Sequence, residues 1–136
     1  MNDSAILSLI AIGGMAVFGL QVSLSLAVNH HHARTYNGYS ACEKVSLSDE
    51  AEFAKIPVPY FAVIHYGFVL TQLFYGMYRE ELNLYMLNCV VFLALLVSCY
   101  YSWLMFMKLR IICLGCVRIH LVNVTMAMTL FFFHIH

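Results

Sequence analysis

Cys113 and Cys116 stand three residues apart around Leu114-Gly115. A thiol attacks as its thiolate, and a helix amino terminus favours that form through its dipole and unpaired backbone N–H groups. At this spacing on a helix the two sulfurs share a face and lie close enough to form and break a disulfide, which is the chemistry of a redox dithiol. Gly115 leaves room for a partner to approach, and Arg118 supplies a positive charge nearby. Read without chemistry, the same residues are two packing thiols with Arg118 reaching for an interface.

His120 lies four residues beyond Cys116, on the same helical face and one turn further along. An ionisable side chain inside a membrane is a functional candidate by default, and this one is placed to hydrogen-bond a carbonyl of a lipid-soluble ligand. The alternative is a histidine satisfied by Tyr66, Asn88 or Asn123 from a neighbouring helix. His65 falls at a matching depth in another apolar run, and two facing histidines in a four-helix bundle can hold a haem. The His30-His31-His32 run reads as a solvated polar collar more readily than as a metal site, so no metal is expected. Cys89 and Cys99 are read as core residues, and Tyr100, Tyr101 and Trp103 as core and interfacial anchors.

These residues need elements to position them, and composition defines those elements. Of the 136 residues 62% are hydrophobic and 10% charged, far from the balance of a water-soluble domain. Seven basic and seven acidic residues leave no net charge and no basic run, which excludes a nucleic-acid binder. Four apolar runs, at about 5–28, 58–78, 82–107 and 111–133, are each long enough to cross a bilayer. The expected fold is an all-α membrane protein, a single domain over 1–136 that forms a four-transmembrane-helix bundle in contact with lipid. Met1-Asn2-Asp3-Ser4 lacks the positive start of a signal peptide, so the first run is expected to be a retained helix.

A polar loop at 29–57 joins the first two spans and contains Cys42. Ser46-Leu47-Ser48-Asp49 fits a capping box, which predicts one or two helical turns over 49–55 as a short lid helix on the bundle. The loop and the turn at Lys108-Leu109-Arg110 share one membrane face, which places Cys42 with Cys113 and Cys116. That face carries Arg34, Lys44, Lys55, Lys108 and Arg110, against Arg79 alone on the other. By the positive-inside rule the loop would be cytoplasmic.

The stretch from Cys42 through Ser48 to Ile56-Pro57 resembles the signature of the vitamin K epoxide reductase family. There a loop cysteine is followed six residues later by a serine and fifteen residues later by the proline opening the second helix, spacings met here by Cys42, Ser48 and Pro57. Cys113-Leu114-Gly115-Cys116 looks like the family's active-site dithiol, with His120 where many members carry a tyrosine or another polar residue. The resemblance covers the whole transmembrane core in order and spacing. It implies a bundle around a quinone co-substrate such as ubiquinone, menaquinone or phylloquinone, with Ser48, His120, His65 and Arg118 near it. Cys116 would react with the quinone, Cys113 would resolve it, and Cys42 would pass electrons to Cys113 by thiol–disulfide exchange.

Two departures bear on that analogy. The family's second loop cysteine is replaced at the matching positions by Arg34 and Thr35, and Lys55 stands where a glycine is common. Either a separate thioredoxin-like partner would therefore deliver electrons to Cys42 or directly to the Cys113–Cys116 pair, or the chain has lost the disulfide-forming role. Members carry the active face in the bacterial periplasm or the lumen of the endoplasmic reticulum, and disulfide chemistry needs such an oxidising side. The expected activity is that of a membrane thiol:quinone oxidoreductase with an extracytoplasmic active face. The competing readings are a haem-bearing electron carrier using His65 and His120, and a non-catalytic subunit of a larger membrane complex.

Overall fold

The computed structural model describes residues 3–36, 44–45, 48–49, 52–53, 56–79 and 82–135. Four long helices dominate it: α1 (Asp3–Tyr36), α2 (Val58–Arg79), α3 (Leu84–Trp103) and α4 (Leu114–Ile135). Each lies in a segment apolar and long enough to cross a membrane or contains one: Ala5–His32 in α1, Val58–Arg79 for α2, Leu84–Leu109 for α3 with the turns that follow it, and Leu114–Phe132 in α4. A four-helix membrane bundle is therefore the fold, as the sequence led us to expect.

Lipid tails are as apolar as leucine, so hydrophobicity alone cannot tell a membrane helix which side to bury; close packing and polar contacts decide. On α1 a buried seam runs through Ile12, Ala16, Gly19, Ser23, Leu26 and His30 in alternating steps of four and three, with Ala27 buried beside it. This is the spacing that holds one seam toward left-handed, shallow-angle packing. The same stepping runs through Tyr66, Val69, Leu73 and Gly76 on α2 and through Asn123, Met126 and Leu130 on α4. Small residues on the α1 seam admit neighbours closely: a Cβ on Gly19 would stand 2.4 Å from the Tyr66 ring. Helix α1 packs on α2 and α4, and α4 packs on α3. Cys89 and Cys99, expected in the core, are exposed instead, because the α3 seam runs through Leu87, Val91 and Ser98 and turns both cysteines outward.

The ends of the helices set the site. At the amino end of α3, Asn83 Oδ1 accepts the N–H of Met86 at 3.1 Å and caps the helix. At its other end α3 passes into a six-residue π-helix, Leu104–Leu109, so the helix outlasts the turn expected at Lys108. Arg110 then closes it in the left-handed region with φ 51°, donating its N–H to the Met105 carbonyl. Helix α1 also runs beyond its apolar stretch, through the three histidines to Tyr36. His30 is consequently buried with its ring edge-on to Tyr60, while His31 and His32 are exposed.

The loop departs from expectation in one respect. Among its described residues beyond α1, Lys44 and Val45 are α-helical, upstream of the predicted turns at 49–55, where Asp49 alone has a helical, 3-10 conformation. There, strands β1 (Glu52–Phe53) and β2 (Ile56–Pro57) pair antiparallel, Glu52 with Pro57 and Phe53 with Ile56. Pro57 accounts for part of this, because the residue before a proline is pushed out of the helical region.

Candidate functional site at the mouth of the fourth helix

Cys113 is the residue from which α4 springs. Its carbonyl accepts the N–H of Val117 at 3.0 Å, and its Sγ accepts the N–H of Cys116 at 3.3 Å. The sulfur thus occupies the place of the side-chain oxygen in an ordinary helix N-cap. Its own N–H donates to Met105 Sδ at 3.3 Å, so the π-helix at the end of α3 and the start of α4 are joined at this residue. Cys113 is disulfide-bonded, whereas Cys116 is a free thiol; the bond on Cys113 is therefore not to Cys116. Cys42 lies outside the described residues.

An apolar shell surrounds the pair. Leu26, Val45, Met105 and Cys113 form one buried cluster, with Cys116, Val117 and Ile119 against it. Val45 comes from the loop, so this loop residue packs over Cys113. Ser48 holds that turn closed: its hydroxyl donates to the Val45 carbonyl at 2.7 Å. The space beside Gly115, expected to admit a partner, is taken by Leu26 of α1, whose side chain lies 2.9 Å from where a Cβ would stand. Arg118 is exposed, its charge outside the shell.

One turn beyond Cys116 the bundle interior becomes polar. Tyr66 donates its hydroxyl to Asn123 Oδ1 at 2.8 Å, Asn123 Nδ2 donates to Ser98 Oγ at 3.3 Å, and Ser98 Oγ is hydrogen-bonded to His120 Nδ1. Three helices, α2, α4 and α3, are tied by this chain, and Tyr66, Ser98 and Asn123 are all buried. His65 packs edge-on to Tyr66 with ring centroids 4.9 Å apart. Among the described residues, the Nε2 atoms of His65 and His120 are buried without a hydrogen-bond partner. Leaving such atoms unsatisfied in an apolar interior is costly, so a polar group from elsewhere is the natural partner.

The structure brings Cys113, Cys116, His120 and the Val45–Ser48 turn into one region, with His65 beside Tyr66 in the polar layer. Sequence reasoning missed Ser98, Val45 and Met105. Asn123 and Tyr66 were weighed as direct partners of His120 and instead reach it through Ser98. The available signal for Ser98 was its position on the α3 seam, seven residues after Val91.

The bundle thus presents a cysteine pair at a helix mouth, under Val45 and backed by a polar layer. A family model described as "Vitamin K epoxide reductase family" matches residues 10–131. The chain belongs to the vitamin K epoxide reductase family. It is a multi-pass membrane oxidoreductase of the class that works between thiols and quinones. No curated protein matches it in sequence.

Proposed function

We propose that this chain oxidises the dithiols of a separate thioredoxin-like partner and passes the electrons through Cys113 and Cys116 to a quinone held between the helices. The observation that carries this reading is the unequal state of the pair: Cys113 is in a disulfide and Cys116 is free. That is the state left when a thiol attacks Cys113 and expels its neighbour.

In this reading the Cys42 thiolate attacks Cys113 Sγ of the oxidised pair. The bond to Cys116 breaks, and Cys116 leaves as a thiolate. A partner thiol then attacks Cys42 and releases Cys113, whose developing charge is stabilised by the Cys116 N–H and the α4 dipole. The partner's second thiol frees Cys42, and the partner departs with a disulfide. Re-forming the Cys113–Cys116 bond passes two electrons and two protons to the quinone, which becomes the quinol. Burial of the pair under Val45 keeps competing thiols and water away. His120 and His65 offer Nε2 atoms to the quinone oxygens, and Ser48 keeps the loop turn closed over the site. The active face is extracytoplasmic, where an oxidising environment maintains disulfides.

Cys113→Ala or Cys116→Ala should abolish quinone reduction by a dithiol in reconstituted protein; full activity in either variant overturns the proposal. Cys42→Ala should slow turnover with a protein partner and leave reduction by a small dithiol largely intact. Equal loss of both would make Cys42 a structural residue.

A further inference from the structure

Deepening the reading of His120 as a quinone contact, and resting on it, we propose that Ser98, Asn123 and Tyr66 are positioning residues that fix which nitrogen of His120 carries its proton. They hold it at Nε2, as a donor aimed at a carbonyl oxygen.

Asn123 Nδ2 is the one member of this hydrogen-bonded series that can only donate. An amide nitrogen has no lone pair to offer, so Asn123 Nδ2 donates to Ser98 Oγ. The orientation of that amide is held from its other end, where Asn123 Oδ1 accepts from the Tyr66 hydroxyl. Among the described residues Ser98 has two hydrogen-bond partners, Asn123 Nδ2 and His120 Nδ1. Having accepted from the first, its own proton can be satisfied only by donating to the second. His120 Nδ1 is then an acceptor, and a neutral imidazole carries its proton on the other nitrogen. The reverse tautomer would have Nδ1 donate to Ser98 Oγ, and the serine proton would lose its only acceptor in an apolar interior.

Tyr66 is itself held in place. Its ring lies against Gly19 of α1, where a Cβ would meet ring atoms at 2.4–2.8 Å, and the residue is fully buried. Packing on α1 therefore fixes where the Tyr66 hydroxyl sits, and the direction set there, with Asn123 Oδ1 accepting its proton, is read out at His120 across the bundle. A donor at Nε2 suits a quinone carbonyl, which only accepts, and favours charge developing on that oxygen as electrons arrive.

The test is carried out on the full-length protein in lipid nanodiscs with 15N-labelled histidine. In the wild type the His120 resonances, assigned with His120→Gln, should show a protonated Nε2 and an unprotonated Nδ1. Ser98→Ala should mix the two tautomers and raise KM for a soluble short-chain quinone about three- to tenfold, the usual worth of one hydrogen bond. Reduction of the Cys113–Cys116 disulfide by a small dithiol, measured separately, should be unchanged in that variant. Ser98→Thr, which keeps the hydroxyl, should restore both the tautomer and KM. A wild-type signal with Nδ1 protonated, or Ser98→Ala without effect on the tautomer, overturns the inference and leaves the quinone reading intact. An unchanged quinone KM in His120→Gln instead removes His120 from the quinone site.

Discussion

Cys113 has four contacts with separate consequences: a carbonyl that starts α4, a sulfur that caps it, an N–H bonded to Met105, and a disulfide. Its chemistry is thus coupled to the helix it begins. The closeness of Cys113 and Cys116 was legible from spacing, because three residues on a helix leave two sulfurs little freedom. The chain behind His120 was not, since a lone serine in an apolar run carries no pattern that marks its partner. Glycine shows how such details are decided by neighbours. Gly19→Ala pushes a methyl into the ring of Tyr66, whereas a Cβ at Gly14 meets nothing within 4 Å. The first should destabilise the fold by about 1–3 kcal/mol, and the second should be neutral or stabilise it by about 0.5–1 kcal/mol. Thermal unfolding in detergent, followed by circular dichroism, checks the pair. Equal midpoints would mean that Tyr66 yields freely, and the packing argument for its position would fail.

Among the elements, the four spans were legible because length and apolarity alone define them. Their facing was not. Cys89 and Cys99 were read inward and point outward, since lipid and core ask for the same residue types and only the four-and-three stepping of small and polar positions separates them. Helix ends were missed for a related reason: α1 continues through His30, His31 and His32 because a helix may leave the hydrocarbon without ending. In the loop, the capping pattern predicted helix at 49–55, but the pairing of Glu52–Phe53 with Ile56–Pro57 prevails there. The element with most consequence is the turn that carries Val45 into the shell of Cys113. Val45→Ser should loosen this cover. Alkylation of Cys116 by a water-soluble maleimide should become several-fold faster, with the helix content of the protein unchanged. An unaltered rate would show that the loop does not shield the dithiol.

At the scale of the whole molecule, the up-and-down order of α1 to α4 puts the dithiol and the loop at one membrane face and the start of α1 with the α2–α3 connection at the other. The basic residues crowd the dithiol face: Lys44, Lys108 and Arg110 are all exposed there. Charge therefore argues for a cytoplasmic dithiol, and redox chemistry for an extracytoplasmic one. A reporter fused after His136 decides between them. Our proposal expects cytoplasmic reporter activity, and a reporter active only outside would place the dithiol in the reducing compartment. The Tyr66–Asn123–Ser98–His120 chain has one more role at this scale. Helices already inserted in lipid gain little from apolar contact and are free to rotate about their long axes. A directional polar connection among three of them, inside an otherwise oily interior, selects one set of rotations from many similar ones. The atoms that orient the histidine therefore also act as the assembly key of the bundle. A substitution that retunes the chemistry would be screened first by whether the helices still find their registry.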